Sequence, residues 1–569
     1  MSNSSEVINQ DSFRTTGENV RKFNSHAASL IKSIIRSTFG PLGNEKIYID
    51  IIGESTYTKD GATFLRKIDV QHPGAKVIID ATNTVDNEVG DGTLTTAILS
   101  TTLIEKAGEM MELGISPANI TMGFDNGLKY ALEALNKISR KVDNKDRIII
   151  EKLTRTCLET KIIFSSRDQT EMTNILNVTT KAINALYFNS DSLEVDDIKI
   201  EEKIGRLMDT QFIDGIVIDK SVDNKSMPRI IDNAIILLLD EDLESKITRT
   251  DSQITANSPN QMMLFRNVEK DIVRNKIQNI IDSGANVIIS RKGIDSLAQE
   301  LLSSAGIMSI KRVKENDLHW LEKATGGRII KGLEKSEING NLGFAKRVSE
   351  KKISDDRMIF VEGCSSPKAV TILIRASSKM IMDECHRAIQ SALVLVKRFI
   401  QSPSIVVGGG SCEMLMAHYI RRKSDLTSGI EQIVLKKFAE SLEEIPLTLA
   451  RNCGLDVLDS EIKLRSSLKK WTSDSSSINW CGVNSVERRI GSLNWDVIEP
   501  RIAKEQILNS VVEVSRLLVN VDDIVVKKPL MNTHTHEDGT EHSHAGGDKK
   551  HDHYFDKLGK QQRPHHHYY

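Results

Sequence analysis

The chain has 569 residues, more than one hydrophobic core usually organises, so two to four domains are expected. Hydrophobic residues at 39% and charged residues at 27% suit a globular protein, and 76 Lys plus Arg against 78 Asp plus Glu leave a net charge of -2. That balance excludes a chain-wide field for nucleic acid or a membrane surface. Met1 to Gln10 lack the basic-then-apolar layout of a signal peptide, and no run approaches the ~20 apolar residues of a membrane span. A cytoplasmic protein without nucleic-acid or membrane partners is expected. Six cysteines, none in C-x-x-C spacing, read as small core residues rather than zinc ligands or disulfides.

Apolar positions Val20, Phe23, Ala27, Leu30 and Ile34 recur at helical steps, and that helix should end at Gly40-Pro41. Further helices are expected over Thr93 to Met111 and Ala118 to Ile138, and residues 144 to 212 continue in helical style. The character then changes. Short apolar runs at 212–219, 235–239, 287–290 and 307–313 alternate with helical spans at 265–282 and 294–304, which implies an α/β domain. Residues 243 to 262 are polar and without period, as in a projecting segment. After a strand at 370–374 the pattern returns to helix at 381–400 and stays mostly helical to about 520. Helical sequence at both ends suggests one domain built from both termini, with the middle inserted. From Lys527 onward lie nine of the fourteen histidines, in a composition that cannot form a core.

The strongest local signal for chemistry is Gly90-Asp91-Gly92-Thr93-Leu94-Thr95-Thr96 at the start of a helix. Glycines let the backbone approach an anion, helix N-terminal N–H groups suit phosphate, and Asp91 can hold Mg2+. Alone, such a run is equally a turn with a helix cap. It is accompanied by Gly40-Pro41-Leu42-Gly43, by Lys59-Asp60-Gly61-Ala62-Thr63 and by Gly408-Gly409-Gly410. In this order and at these intervals the turns resemble the nucleotide site of chaperonins. Over residues 17 to 525 the chain resembles the group II chaperonins, the archaeal thermosome and its eukaryotic cytosolic TCP-1 relatives. Carrying runs include Arg36-Ser37-Thr38-Phe39-Gly40-Pro41, Glu88-Val89-Gly90-Asp91-Gly92-Thr93, Pro367-Lys368-Ala369-Val370-Thr371-Ile372-Leu373, Glu443-Glu444-Ile445-Pro446 and Val521-Asp522-Asp523-Ile524.

The resemblance implies a multidomain α and α/β fold: a helical equatorial domain (1–143 and 401–525), a small intermediate domain (144–212 and 368–400) and an α/β apical domain (213–367). The last would carry a helical lid protrusion at about 243–272, and residues 526–569 would be a disordered His-rich tail. Met262-Met263-Leu264-Phe265 would bind clients or close the lid from an exposed position, or simply form the buried face of the next helix; both readings stay open. The resemblance further implies an ATP-dependent chaperone enclosing non-native client proteins, with self or paralogous subunits in a double ring of eight or nine per ring. Thr38, Gly40, Pro41, Gly61, Gly92, Thr93, Leu94 and Thr95 would border ATP, with Asp91 on Mg2+. Gly409, Gly410, Gly482 and Glu499 would complete the nucleotide site, and Lys161 falls in a stretch resembling the nucleotide-sensing loop. Judged as a lone lysine, Lys161 reads first as a solvated side chain.

Hydrolysis in the family rests on two carboxylates that orient and activate water. Asp60 matches the first. The second should stand in a run resembling D-E-x-x-R-x-x-x-D-A-L, which here reads Asp383-Glu384-Cys385-His386-Arg387-Ala388-Ile389-Gln390-Ser391-Ala392-Leu393, so Ser391 replaces the aspartate. A hydroxyl cannot take the proton as a carboxylate does, and Leu94 removes a hydroxyl donor from the phosphate loop. The departure implies a slow ATPase, or an ATP-binding but hydrolysis-impaired structural subunit of a hetero-oligomer. Asp383 and Glu384, two turns from position 391 and ~11–12 Å off by helix rise, are not expected to compensate. In the tail, His534-x-His536 and His542-x-His544 suit Zn2+ or Ni2+, although a solvated tail explains them too. A P-loop ATPase is excluded by the absence of G-x-x-x-x-G-K-[ST].

Overall fold

The structure, a computed structural model, describes residues 12–68, 70–161, 169–190, 194–244, 259–364, 368–468, 478, 480–493, 495–527, 531–535 and 541–545. The first stretch runs β1 (Ser12–Thr16), α1 (Glu18–Ile35), β2 (Lys46–Ile49), β3 (Ser55–Thr58), α2 (Gly61–Lys67), α3 (Pro73–Val89), α4 (Thr93–Glu112), α5 (Pro117–Ile138), β4 (Arg140–Lys141), α6 (Arg147–Glu159) and α7 (Gln169–Ser190). The middle contains β5 (Ile198–Ile204), β6 (Gln211–Ile213), β7 (Gly215–Ile218), β8 (Ile230–Leu239), α8 (Pro259–Asp282), β9 (Val287–Ser290), α9 (Ser296–Ser304), β10 (Met308–Ile310), α10 (Glu315–Thr325), β11 (Ile329–Ile330), α11 (Lys335–Ile338), β12 (Gly343–Ile353), β13 (Asp356–Cys364) and β14 (Val370–Ala376). The last stretch is α12 (Lys379–Gln401), β15 (Ser404–Val407), α13 (Ser411–Ser424), α14 (Ile430–Asn452), α15 (Val457–Ser467), β16 (Cys481–Asn484), β17 (Arg489–Ser492), β18 (Ile498–Pro500), α16 (Arg501–Asn520), β19 (Asp523–Lys527), β20 (Met531–Thr535) and β21 (Glu541–Ala545).

Residues 24–520 form one compact unit with four apolar clusters, three large and one small around Val217, Phe360 and Leu373. The first joins α1 to α5 with α13 to α16, through side chains such as Ile98, Phe124, Leu415 and Phe438. Early and late helices therefore share one core. The second lies wholly within 216–369, around a mixed seven-stranded sheet ordered β10-β9-β8-β12-β13-β7 with β11 on β8. Its central strands, such as Val287–Ser290, are buried on both faces, which is why they read as continuous apolar runs. The third packs α6, α7 and α12 around the sheet β5-β14-β6. Five cysteines are buried and Cys364 is half-buried, all free.

Several elements differ from expectation. Residues 144–212 contain β5 and β6, and the long hairpin β12–β13 was not foreseen. The 212–219 run is two strands, because Gly215 at φ 148° breaks it after Asp214. Met262 to Phe265 fall on α8; their side chains, like residues 245–258, lie outside the described residues, so neither reading of them is decided.

A second unit comprises residues 1–23 and 521–569. There β1 and β19 pair antiparallel, Ser12 opposite Lys527, and Arg14 Nε lies 2.9 Å from Asp523 Oδ2. The strand β19 runs through the expected boundary at 525–526. Within the stretch expected to lack structure, β20 pairs antiparallel with β21, His534 opposite His542, while residues 546–569 lie outside the described residues.

Candidate functional site

One cavity gathers most of the residues singled out in the sequence. Its first wall is the loop between α3 and α4. The α3 helix closes on Gly90 at φ 77°, and a Cβ there would come within 2.5 Å of the Ser391 carbonyl oxygen on α12. Only glycine lets the two helices approach so closely. Gly92, also left-handed at φ 87°, caps α4, and the Asp91 carboxylate accepts the Gly92 N–H at 2.7 Å. Gly92, Thr93, Leu94 and Thr95 then line the cavity with the positive end of a 20-residue helix.

The opposite wall is the turn before α2. Asp60 caps that helix, its Oδ2 accepting the Thr63 N–H at 2.8 Å. Its Oδ1 accepts from Lys161 Nζ at 3.1 Å, both side chains being 6% exposed. Burial alone would raise the Asp60 carboxyl; Lys161 and the Thr63 hydrogen bonds outweigh it and hold it down at about 2. Burial would lower the Lys161 ammonium, and the carboxylates of Asp60 and Asp91 drive it upward instead. The reading of Lys161 as a solvated surface lysine is therefore corrected: it belongs to a buried ion pair. Neighbouring Lys59, 1% exposed, donates to the Pro41 carbonyl at 2.7 Å, and burial lowers its ammonium to about 8.

Gly409 and Gly410 form the third wall, before α13. At this end Lys504 of α16 lies 2.7 Å from Glu413 Oε1 and pairs also with Glu499. Burial raises the Glu499 carboxyl, partly offset by Lys504. The second Glu413 oxygen is buried and has no hydrogen-bond partner among the described residues, an orphaned acceptor on the cavity wall.

Gly40, Pro41, Gly61, Asp91 and Glu499 also line the cavity, whereas Thr38, Gly482 and Ser391 do not. The Thr38 hydroxyl is buried and donates to the Ile35 carbonyl at 2.6 Å. Gly482 sits behind Gly409, whose carbonyl lies 2.8 Å from a Cβ built on it. Sequence reasoning missed Lys59, Glu159, Glu413 and Lys504 on the wall. Glu384 is not idle: 1% exposed, it takes hydrogen bonds from the Thr58–Lys59 turn. Among the described residues no three His, Cys, Asp or Glu are grouped to hold a metal ion, and no helix is long and apolar enough to cross a membrane.

Comparison with known proteins places this architecture. The family model described as "TCP-1/cpn60 chaperonin family" matches residues 31–529. The chain is 35% identical to thermosome subunit alpha of Archaeoglobus fulgidus over 528 residues, 92% of this chain and 95% of the relative. It is 35% identical to thermosome subunit beta of Sulfurisphaera tokodaii over 522 residues, 91% and 93% of the two chains. A thermosome subunit of Methanocaldococcus jannaschii is 35% identical over 546 residues, 95% and 98% of the two. The fold and these relatives define a chaperonin. The chain belongs to the TCP-1/cpn60 family, in its group II branch, with the multidomain α and α/β chaperonin fold.

Proposed function

We propose that this chain is a subunit of a ring-forming chaperone that binds MgATP in the cavity, turns it over slowly, and encloses non-native proteins. The supporting observation is the convergence of the α4 N-terminus, Asp91 and the Asp60–Lys161 pair on one cavity. Its wall carries five carboxylates (Asp60, Asp91, Glu159, Glu413, Glu499) and three lysines (Lys59, Lys161, Lys504). A polyphosphate fits such a wall only with helix N-terminal N–H groups and a divalent cation. Asp91 is the residue that would hold Mg2+, which supplies charge neutralisation at the phosphates when bound. The N–H groups of Gly92 to Thr95 bind phosphate oxygens, and Asp60 orients the attacking water and accepts its proton. At the far end Glu499 and the orphaned Glu413 oxygen accept sugar hydroxyls, with Lys504 balancing their charge.

In this reading 1–143 and 401–525 form the nucleotide domain, 213–367 the client-binding domain, and 144–212 with 368–400 the joint between them. Ring assembly is supported by the β2–β3 hairpin, which among the described residues pairs with no further strand and exposes Ile47, Ile49, Ile51 and Ile52. A second reading, a subunit that binds ATP while its neighbours hydrolyse it, is favoured by Ser391 standing off the cavity. Steady-state ATPase of the purified chain, with negative-stain side views, separates them. Two stacked toroids with magnesium-dependent turnover support the first; toroids that retain ATP unhydrolysed support the second; a monomer without nucleotide affinity refutes both. For the tail, Zn2+ or Ni2+ binding rests on the sequence spacing His534-x-His536 and His542-x-His544 alone. Nickel titration of the full chain against one ending at Lys527 tests this, and equal uptake by both contradicts it.

A further inference from the structure

The α12 helix has no carboxylate at 391, yet it holds both loops of the phosphate end. At one end, Arg398 Nε donates to the Glu88 carbonyl and the Ser391 carbonyl abuts Gly90. Two turns away, Glu384 is buried beneath the turn that carries Asp60. Its oxygens accept from Thr58 Oγ1 at 3.1 and 3.0 Å, from the Lys59 N–H at 3.4 Å and from Arg387 Nε at 3.1 Å. The Thr58 hydroxyl in turn accepts the Asp60 N–H at 3.0 Å. A hydroxyl has one proton and a carboxylate none, so the direction of this chain is set: Asp60 N–H to Thr58 oxygen, Thr58 O–H to Glu384.

Nothing about packing calls for a charge here. An ionised carboxylate is among the costliest groups to bury, and an apolar residue would fill the space without needing donors. What the carboxylate adds is a directed hold on the backbone of Asp60, whose side chain is then aimed by Thr63 on one oxygen and Lys161 on the other. We propose that Glu384 is a positioning residue for hydrolysis: through the Thr58 hydroxyl it fixes the Asp60 carboxylate, so that movement of α12 is transmitted to the reacting end of the cavity. This rests on the ATPase reading given above. It means that loss of the carboxylate at 391 leaves the mechanical link between α12 and the site intact.

The test uses purified full-length protein in the natural sequence and in a Ser391→Asp background, with single-turnover ATP hydrolysis and ATP affinity measured separately. Thr58→Val keeps the shape and deletes the bridging hydroxyl; Thr58→Ser restores it; Glu384→Gln keeps an acceptor without the charge. Thr58→Val is expected to slow hydrolysis ~10-fold or more with affinity changed less than ~3-fold, the pattern of a misplaced catalytic group. Thr58→Ser should recover most of the rate, and Glu384→Gln, the alternative if the valine variant does not fold, should fall between. Parental rates in Thr58→Val and Glu384→Gln, or a serine variant as slow as the valine one, would overturn the proposal. If neither background binds or hydrolyses ATP, the ATPase reading itself falls, a result distinct from unchanged variants of an active parent.

Discussion

Asp60 and Lys161 are nearly sealed from solvent and paired at 3.1 Å, so each is tolerable there only because of the other. Replacing Lys161 by Met leaves a buried carboxylate with its main partner gone, which costs about 3–5 kcal/mol for a pair of this kind. Thermal unfolding of Lys161→Met should show that loss, and Asp60→Asn combined with it should recover part of it. The pH dependence follows from the direction of the shift. The Asp60 carboxyl titrates near 2 when folded against 3.8 in its ordinary state. Its contribution to stability is therefore complete above about pH 4 and is lost as pH falls toward 2. Urea unfolding between pH 5 and 2 should be less steeply acid-sensitive in Asp60→Asn; identical slopes would contradict the assigned pair. In catalysis, Asp60→Asn should bind ATP with little change and lose ~10²–10⁴ in rate, read by single turnover.

At the scale of elements, three turns and one long helix make the site. The turns were legible in the sequence because left-handed glycines at 90, 92 and 410 have no substitute where backbone must meet backbone or ligand. Glu413 and Lys504 were not legible, since inside the amphipathic α13 and α16 a buried ion pair has the same spelling as two solvated charges. The helix rise separates Glu384 from position 391, but its partner is the Thr58–Lys59 turn, which no helical spacing reveals. The hairpin β12–β13 escaped for a similar reason. Its Lys, Arg and Glu residues occupy the exposed positions of a two-sided strand and mask the alternation. Two outcomes belong here. Gly90→Ala must push α12 off its seat, because the obstructing atom is the Ser391 backbone oxygen, and should lower both the unfolding temperature and ATP turnover. Ser391→Asp places a carboxylate beside that same loop and should raise the single-turnover rate ~10²-fold; an unchanged rate would mean that position 391 never reaches the nucleotide.

On the scale of the whole molecule, the chain leaves and re-enters one helical core, with α1 to α5 and α13 to α16 sharing apolar contacts across hundreds of intervening residues. The inserted part has its own core within 216–369. That layout was visible in the switch from helical period to short apolar runs and back, while the three-stranded sheet at the junction was not, because Lys199, Glu201, Glu202 and Lys203 interrupt the apolar residues of β5, Lys199 being buried. Since α12 spans from the end of β14 to the strand before the late glycine turn, a nucleotide bound as proposed would have a continuous helical path toward the inserted part. Calorimetric titration with MgATP, comparing the natural chain with Asp91→Ala, tests the nucleotide cavity most directly. The account predicts saturable, magnesium-dependent binding by the first and a loss of ~10-fold or more in affinity by the second, one charged ligand to the cation being removed. Equal affinity in both, or binding indifferent to magnesium, would contradict it.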